Sequence, residues 1–236
     1  ASRSDSQAVT RGAEYVRSAM IRRLRRLLRA IIDLIYPPEY KTPKPIEEQI
    51  EAIARIFGLD PKPAPVLAFA KTLPALPEGA EGWFAVPAVE AIAKKHFPKV
   101  EKTEEKYCQA VQFALDLLEK SRPFTNYRCG QVKSEHLRTH ARTAQALEQI
   151  AEIQKGNILI IAGQLGLRHR GRSTRWAREC FIGNECGLTS MMGCAIALTH
   201  PERFVRFEEL DMDLLGDEFD DPGSAVLWGF APFLRS

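Results

Sequence analysis

The apolar positions near the start of the chain repeat with the period of an α-helix. Between residues 13 and 36 they recur three and four positions apart while arginines occupy another face, so the pattern predicts one basic amphipathic helix. The apolar positions are Met20, Leu24, Leu27, Leu28, Ile31 and Ile35. Two prolines follow at 37 and 38 and end the helix, because proline cannot donate the next helical hydrogen bond. We therefore predict a basic helical arm at residues 1–36, a proline-rich linker at 37–45 and an α/β core domain at 46–236.

Three kinds of partner suit the predicted arm over residues 13–36. Its charge fits an anionic membrane surface or a nucleic-acid backbone, and its apolar face fits a protein surface. Ile31, Ile32, Leu34 and Ile35 nearly encircle the end of the helix. Burial against protein, either a partner or the chain's own core, is therefore the favoured interpretation.

Beyond the linker, helical periods alternate with short apolar runs. Helices are predicted at residues 45–57, 66–71, 87–96, 103–120, 133–155, 173–181 and 188–198. Strands are predicted at 82–86 and 157–162, with shorter ones near 204–207, 212–215 and 226–230. The run at 157–162 is apolar on both faces, as in a central strand covered on both sides. The pattern predicts an α+β or α/β fold, a helix-rich single core domain around a small sheet.

Composition changes this picture mainly through the distribution of charge. The net charge of +3 is too small for a histone-like nucleic-acid binder. Residues 168–178 nevertheless carry five arginines and no acid, whereas residues 202–221 carry nine acids and two arginines. Position, and not average charge, therefore indicates where a ligand would bind.

The five cysteines do not form the dense framework of a secreted disulfide protein. Reduced thiols and a cytoplasmic location are therefore predicted. No apolar run reaches the roughly 18 residues that a bilayer-spanning helix needs, so no transmembrane segment is expected. The spacing of the cysteines also lacks the close pairs of a structural zinc site, and Cys194 is expected in the core.

The basic segment follows the clearest predicted strand. A buried strand leads into a glycine-containing loop and then into a helix that Ser173 can cap. Helix-terminal amides and arginine side chains are both suited to bind phosphate. The sequence therefore predicts a phosphate- or nucleic-acid-binding site at Arg168, Arg170, Arg172, Ser173, Arg175 and Arg178.

Two other interpretations of this loop stay open. Residues 166–173 read G-x-x-x-x-G-R-S, one residue away from the nucleotide-binding P-loop pattern. Arg172 replaces the phosphate-binding lysine, and no second motif supplies a magnesium ligand, which disfavours nucleotide hydrolysis. Alternatively, the arginines pair with the acidic C-terminal segment and only stabilise the fold.

The acidic segment at 208–221 suggests a different class of function. On a strand, Asp211 and Asp213 would point the same way, and Gly216 turns the chain before the next two acids. Converging oxygens bind magnesium or manganese, as metal-dependent hydrolases and phosphotransferases require. The predicted ligands are Asp211, Asp213, Asp217 and Glu218. No other cofactor is predicted, and solvated surface is the simpler interpretation.

The histidines add candidates for proton transfer. His169 lies within the arginines and His200 lies just before the acidic segment, so either is a candidate general acid or base. His200 is also expected to end a helix. His136 and His140 would share one face of the helix predicted at 133–155, a spacing that can hold a metal, but Leu137 breaks the zinc-protease motif.

Four short segments carry a resemblance to a known group of proteins. They are residues 166–173, 184–188, 198–203 and 216–219. Together they resemble an uncharacterised bacterial family of hypothetical proteins over roughly residues 78–230. The resemblance implies a bacterial cytosolic setting and supplies no activity, fold or site. A third hypothesis is a structural or partner-binding subunit without catalytic activity, in which the charges are satisfied internally and the arm docks elsewhere.

Overall fold

The structure, a computed structural model, describes residues 42–60, 63–166, 168–203 and 211–235. The chain divides into two units, Ala1–Lys41 and Thr42–Ser236, and the description below concerns the second. The predicted arm and most of the predicted linker lie outside the described residues. Among the helices that are described, none has the length and apolar character that crossing a bilayer requires.

Helices make up most of the regular structure. They are α1 (Ile46–Ile56), α2 (Ala64–Ala70), α3 (Val89–His96), α4 (Thr103–Ser121), α5 (Ala141–Ile153), α6 (Thr174–Glu179) and α7 (Ser190–Thr199), with a 3₁₀ turn at Pro201–Arg203. The strands are β1 (Gly82–Pro87), β2 (Leu137–Thr139), β3 (Ile158–Gly163), β4 (Asp211–Asp213), β5 (Asp217–Phe219) and β6 (Phe233–Arg235). The predicted helix-rich α+β fold is confirmed.

In the described residues the strands form three antiparallel pairs, and not one sheet. β1 pairs with β3, β2 with β5, and β4 with β6. The longest ribbon places Phe84 opposite Ile161, and both side chains are buried. The apolar run that predicts a strand at 157–162 therefore forms β3, which is buried along nearly all its length.

Two glutamine side chains cover the outer edges of the β1–β3 ribbon. Gln49 of α1 accepts a hydrogen bond from the amide of Ala85 (3.0 Å) and donates to the carbonyl of Trp83 (3.0 Å). Gln154 does the same for Ile160, with both hydrogen bonds at 2.8 Å. Each amide side chain thus takes the place of a neighbouring strand, which satisfies edge groups that would otherwise pair with another chain.

The core is organised around α7. Nine of its ten residues are buried, because the helix is apolar all round and α1, α4 and β1 pack against it. Gly193 allows Leu214 to approach, since a Cβ at this position would overlap the Leu214 side chain. Cys194 lies in this core with 1% of its surface exposed, as predicted.

The helix predicted at 133–155 is wrong in its first third. Residues 137–139 form β2, and α5 begins at Ala141 because His140 caps it, with its Nδ1 accepting the amide of Arg142 at 3.3 Å. The His140 amide in turn donates to the carbonyl of Gly216, which ties this corner to β5. His136 lies before the helix, so the two histidines do not share a helical face.

The strand predicted at 226–230 is also wrong. Residues 226–228 form a bend and a turn, and Trp228 has a positive φ of 53° that an extended strand cannot contain. Phe230 alone makes an isolated β-bridge, to Phe219. The indole lies under the Arg138 guanidinium, 4.1 Å from the ring centroid, which holds the turn against β2. The last strand, β6, forms a few residues later. The strand predicted at 204–207 lies outside the described residues.

Replacing Gln49 by alanine is expected to lower the free energy of unfolding by about 3 kcal/mol. The side chain is 1% exposed, so its loss leaves the buried Ala85 amide and the half-buried carbonyls of Trp83 and Lys44 without this hydrogen-bond partner. Urea unfolding measures the change. Gln149→Ala, on the exposed face of α5, is the matched control, and an equal, small change in both variants would contradict the interpretation.

Candidate functional site

In the loop between β3 and α6, several backbone amides donate hydrogen bonds to side chains of the protein. The side-chain oxygen of Gln164 accepts hydrogen bonds from the amides of Gly166 (2.8 Å) and Arg168 (3.2 Å). The amide of Leu165 donates to Glu81 at 2.8 Å, which attaches the loop to the chain before β1. These amides are used within the protein and do not form the phosphate cradle that a P-loop backbone provides.

Ser173 caps α6 as predicted. Its Oγ accepts a hydrogen bond from the amide of Trp176 at 3.3 Å. The helix is only six residues long, so few peptide dipoles add at its start. The helix N-terminus therefore contributes little to anion binding, and the arginine side chains carry the candidate site.

Two of the predicted arginines, Arg168 and Arg178, are half-buried against other parts of the protein. The Nε of Arg168 lies 3.0 Å from the Glu185 carboxylate. Arg178 donates to the carbonyls of Leu215 (3.0 Å) and Asp217, and burial lowers its pKa. Arg178 therefore makes the stabilising contact with the C-terminal segment that the alternative hypothesis predicts. It binds main-chain carbonyls of that segment and not carboxylates.

His169 joins the loop to the chain after α6. Its Nε2 lies 2.8 Å from the Glu185 carboxylate, and its Nδ1 lies 2.7 Å from a guanidinium nitrogen of Arg172. The imidazole packs edge-on against Phe181, with centroids 5.3 Å apart, and the residue is only 7% exposed. A buried imidazole with a hydrogen bond at each ring nitrogen is a poor candidate for proton exchange with a ligand. We therefore infer that His169 supports the loop.

An exposed surface remains at the start of α6. Arg172 is exposed, the Arg175 side chain is 89% exposed, and Trp176 is 60% exposed. Arg175 reaches Glu179 at 3.3 Å, a solvated contact between helix neighbours that contributes little energy. Arg170 is half-buried and has contacts of its own. We call Arg172, Arg175 and Trp176 the Arg–Trp surface.

The charge pattern of the sequence does not predict that Trp176 belongs to this surface. The charge pattern predicts a site at the arginines and the capping serine but does not include Trp176, which lies between Arg175 and the buried Ala177. A helical period cannot be read over six residues, so the exposed side of α6 could not be distinguished from its buried side. An aromatic residue within an arginine-rich run is the sequence signal that points to such a surface.

The carboxylates predicted to bind magnesium or manganese do not form a metal site in the described part of the chain. This corrects the predicted convergence of Asp211, Asp213, Asp217 and Glu218. Asp211 binds Arg235 through both oxygens (3.0 and 3.1 Å), and Glu218 binds Arg138 at 2.7 Å. Asp217 is fully buried. Within the described ranges, no group of three or more histidine, cysteine or acidic side chains is arranged to hold a metal.

Asp217 instead joins three elements in the core. Its Oδ2 accepts hydrogen bonds from the Tyr107 hydroxyl of α4 (2.5 Å) and from the Ser190 amide at the start of α7 (2.6 Å). Burial raises the pKa of Asp217 to about 6, although both hydrogen bonds and the nearby Arg178 oppose this change. Burial and the Asp217 charge also raise the pKa of Tyr107. This carboxylate is a structural centre that solvent does not reach.

His200 is equally inaccessible. It is fully buried at the end of α7, as expected for a helix-end residue, and packs edge-on against Phe84 with centroids 5.5 Å apart. Its Nε2 accepts the amide of Lys44 at 3.2 Å. The interpretation of His200 as a general acid or base is therefore not supported by its surroundings.

Comparison of the chain with protein-family models, with curated proteins and with solved structures gives no match. The resemblance to a bacterial family of hypothetical proteins stays a prediction.

The Asp217→Asn variant is expected to change how stability depends on pH. The folded-state pKa of about 6 lies above the ordinary value of 3.8, so folding favours the protonated carboxyl. The protonated Asp217 carboxyl therefore contributes about 3 kcal/mol to the free energy of unfolding below pH 4, and this contribution is lost as the pH rises through 6. Asparagine is neutral throughout, so the stability of the variant relative to the native chain should rise by this amount between pH 4 and pH 7.

Urea unfolding at several pH values measures this difference. Glu148→Gln, which removes an exposed carboxylate on α5, is the control and should show no comparable trend. A constant difference between the native chain and Asp217→Asn across the range would show that the buried carboxyl does not titrate as inferred.

Proposed function

We propose that this chain binds single-stranded nucleic acid through the Arg–Trp surface. The observation that carries the proposal is a tryptophan exposed over 60% of its area that follows two exposed arginines, Arg172 and Arg175, within four residues of the chain. Tryptophan is seldom this exposed, because its large apolar ring is stabilised by burial. An exposed flat ring that is close in the chain to exposed guanidinium groups suits stacking on a base while the neighbouring phosphates bind the cations.

The charge and size of the surface set the expected strength of binding. Each guanidinium can contact one phosphate, and each stacked base contributes about 1–3 kcal/mol. A single aromatic platform with two cations therefore predicts modest affinity. If two phosphates are neutralised, the logarithm of the binding constant should fall with the logarithm of salt concentration with a slope of about −1.4.

A single strand fits better than a duplex. In a duplex the bases are stacked on each other and their faces are not available to an indole, whereas in a single strand they are. The backbone amides of the preceding loop are already bonded to Gln164 and Glu81, which disfavours a nucleotide-hydrolysing P-loop. The buried positions of His169 and His200 favour binding without turnover over catalysis.

A cytoplasmic location is part of the same proposal. All five cysteines are free, and Cys108 and Cys194 are buried in the core. Burial raises the pKa of each of these two thiols to about 12, which keeps them protonated and unreactive. Free thiols in these positions are compatible with a reducing compartment.

Trp176→Ala is expected to weaken binding of a fluorescently labelled single-stranded oligonucleotide by about fivefold to a hundredfold, which corresponds to the loss of one stacked base. Arg175→Ala should weaken binding less and reduce the salt slope by about 0.7. Fluorescence anisotropy at several salt concentrations measures both effects.

Tyr127→Ala is the matched control, because Tyr127 is 90% exposed but lies in the loop after α4. It should bind as the native chain does. Equal affinity of Trp176→Ala and the native chain, or equal affinity for a duplex of the same length, would contradict the proposal. In the first case a protein partner for the exposed ring becomes the better hypothesis.

A further inference from the structure

We propose that His169 is a positioning residue, which holds the guanidinium of Arg172 in the orientation that binds a phosphate. This inference rests on the proposed function and names the device that prepares its site. The observation is a continuous chain of contacts from Glu185 through His169 to Arg172. Glu185 is half-buried, His169 is buried and Arg172 is exposed.

The chemistry of the three groups determines the direction of each hydrogen bond. A guanidinium has only donors, so the Nδ1 of His169, 2.7 Å from Nη1 of Arg172, must accept. The proton of the neutral ring then lies on Nε2, which donates to the Glu185 carboxylate at 2.8 Å. Glu185 thereby selects the tautomer that Arg172 needs, as carboxylates do for histidines that bind metals.

The imidazole itself is held from several sides. The Glu185 carboxylate also lies 3.0 Å from Nε of Arg168, and its other oxygen accepts the amide of Ile182 at 3.3 Å. Phe181 packs against the ring of His169. Because the carboxylate and the ring are both fixed, Nδ1 presents its lone pair at one place and in one direction.

Arg172 benefits from this support because it is exposed. A free arginine side chain carries about 2 kcal/mol of rotamer entropy, and binding that immobilises it must overcome this cost. Holding Nη1 on the imidazole removes part of that cost before a ligand arrives. The edge formed by Nε and Nη2 is not used by the imidazole, and this edge has the geometry of a two-point contact with phosphate oxygens.

Two substitutions separate this role from simple packing. In His169→Asn the side-chain oxygen can occupy the position of Nδ1 and accept from Arg172. In His169→Gln the longer amide reaches the position of Nε2 and can donate to Glu185, but nothing replaces Nδ1. We expect His169→Gln to weaken oligonucleotide binding about fivefold and His169→Asn to stay within about twofold of the native chain.

A double-mutant cycle with Arg172→Ala tests whether the effect acts through that arginine. On the Arg172→Ala background, His169→Gln should weaken binding no further. A fivefold loss that persists in the absence of Arg172 would overturn the inference, as would native affinity of His169→Gln. Thermal unfolding of each variant identifies any that fails to fold, and His169→Asn then carries the test.

NMR of the arginine side chains provides a readout that needs no ligand. The guanidinium of Arg172 should be ordered in the native chain and in His169→Asn, and mobile in His169→Gln, with the exposed Arg175 as the mobile reference. An Arg172 as mobile as Arg175 in the native chain would overturn the positioning role. An ordered Arg172 in a chain that binds no oligonucleotide would instead overturn the proposed function and leave the contact itself established.

Discussion

The buried carboxylate of Asp217 links β5 to two helices in the core of the described fold. It receives hydrogen bonds from α4 and from the first amide of α7, and the adjoining carbonyls are bound by Arg178. The Asp217 side chain thus connects β5 to α4 and α7, and the carbonyls that Arg178 binds connect the same turn to α6. Burial of a carboxylate is costly unless hydrogen bonds replace its water, and here the start of a helix supplies a favourable amide. The position of this residue decides how α4, α6 and α7 meet.

The turn that carries Asp217 also requires two glycines. Gly187 and Gly216 lie against each other so closely that a Cβ on either would overlap the backbone of the other segment. The amide of Gly216 donates to the carbonyl of Leu188 at 2.8 Å, and its own carbonyl accepts from His140. Backbone contact of this kind aligns the segment before α7 with β5 and β2. It also places Arg178 where its guanidinium can bind the turn.

The arginine-rich segment divides its charge between support and exposure. Arg168 and Arg178 are half-buried and bind groups of the protein, whereas Arg172 and Arg175 make fewer contacts with it and are exposed, as Trp176 is. The supporting contacts hold the exposed ones in place, because Glu185 is shared by Arg168 and by the His169 that contacts Arg172. Local charge density alone would assign all five arginines to one role. Their partners assign two roles, and only the exposed members are suited to a polyanion.

The features that depend on residues close together in the chain could be predicted from the sequence. The apolar run of β3, the period of α4, the Ser173 cap and the alternation of Asp211, Met212 and Asp213 were all predictable, because local hydrogen bonds and side-chain periodicity set them. The start of α5, the turns at 226–230, the burial of Asp217 and the exposure of Trp176 were decided by tertiary structure. Each depends on residues distant in the chain, such as Gly216 for His140 and Tyr107 for Asp217, and no local pattern records which distant group will be near.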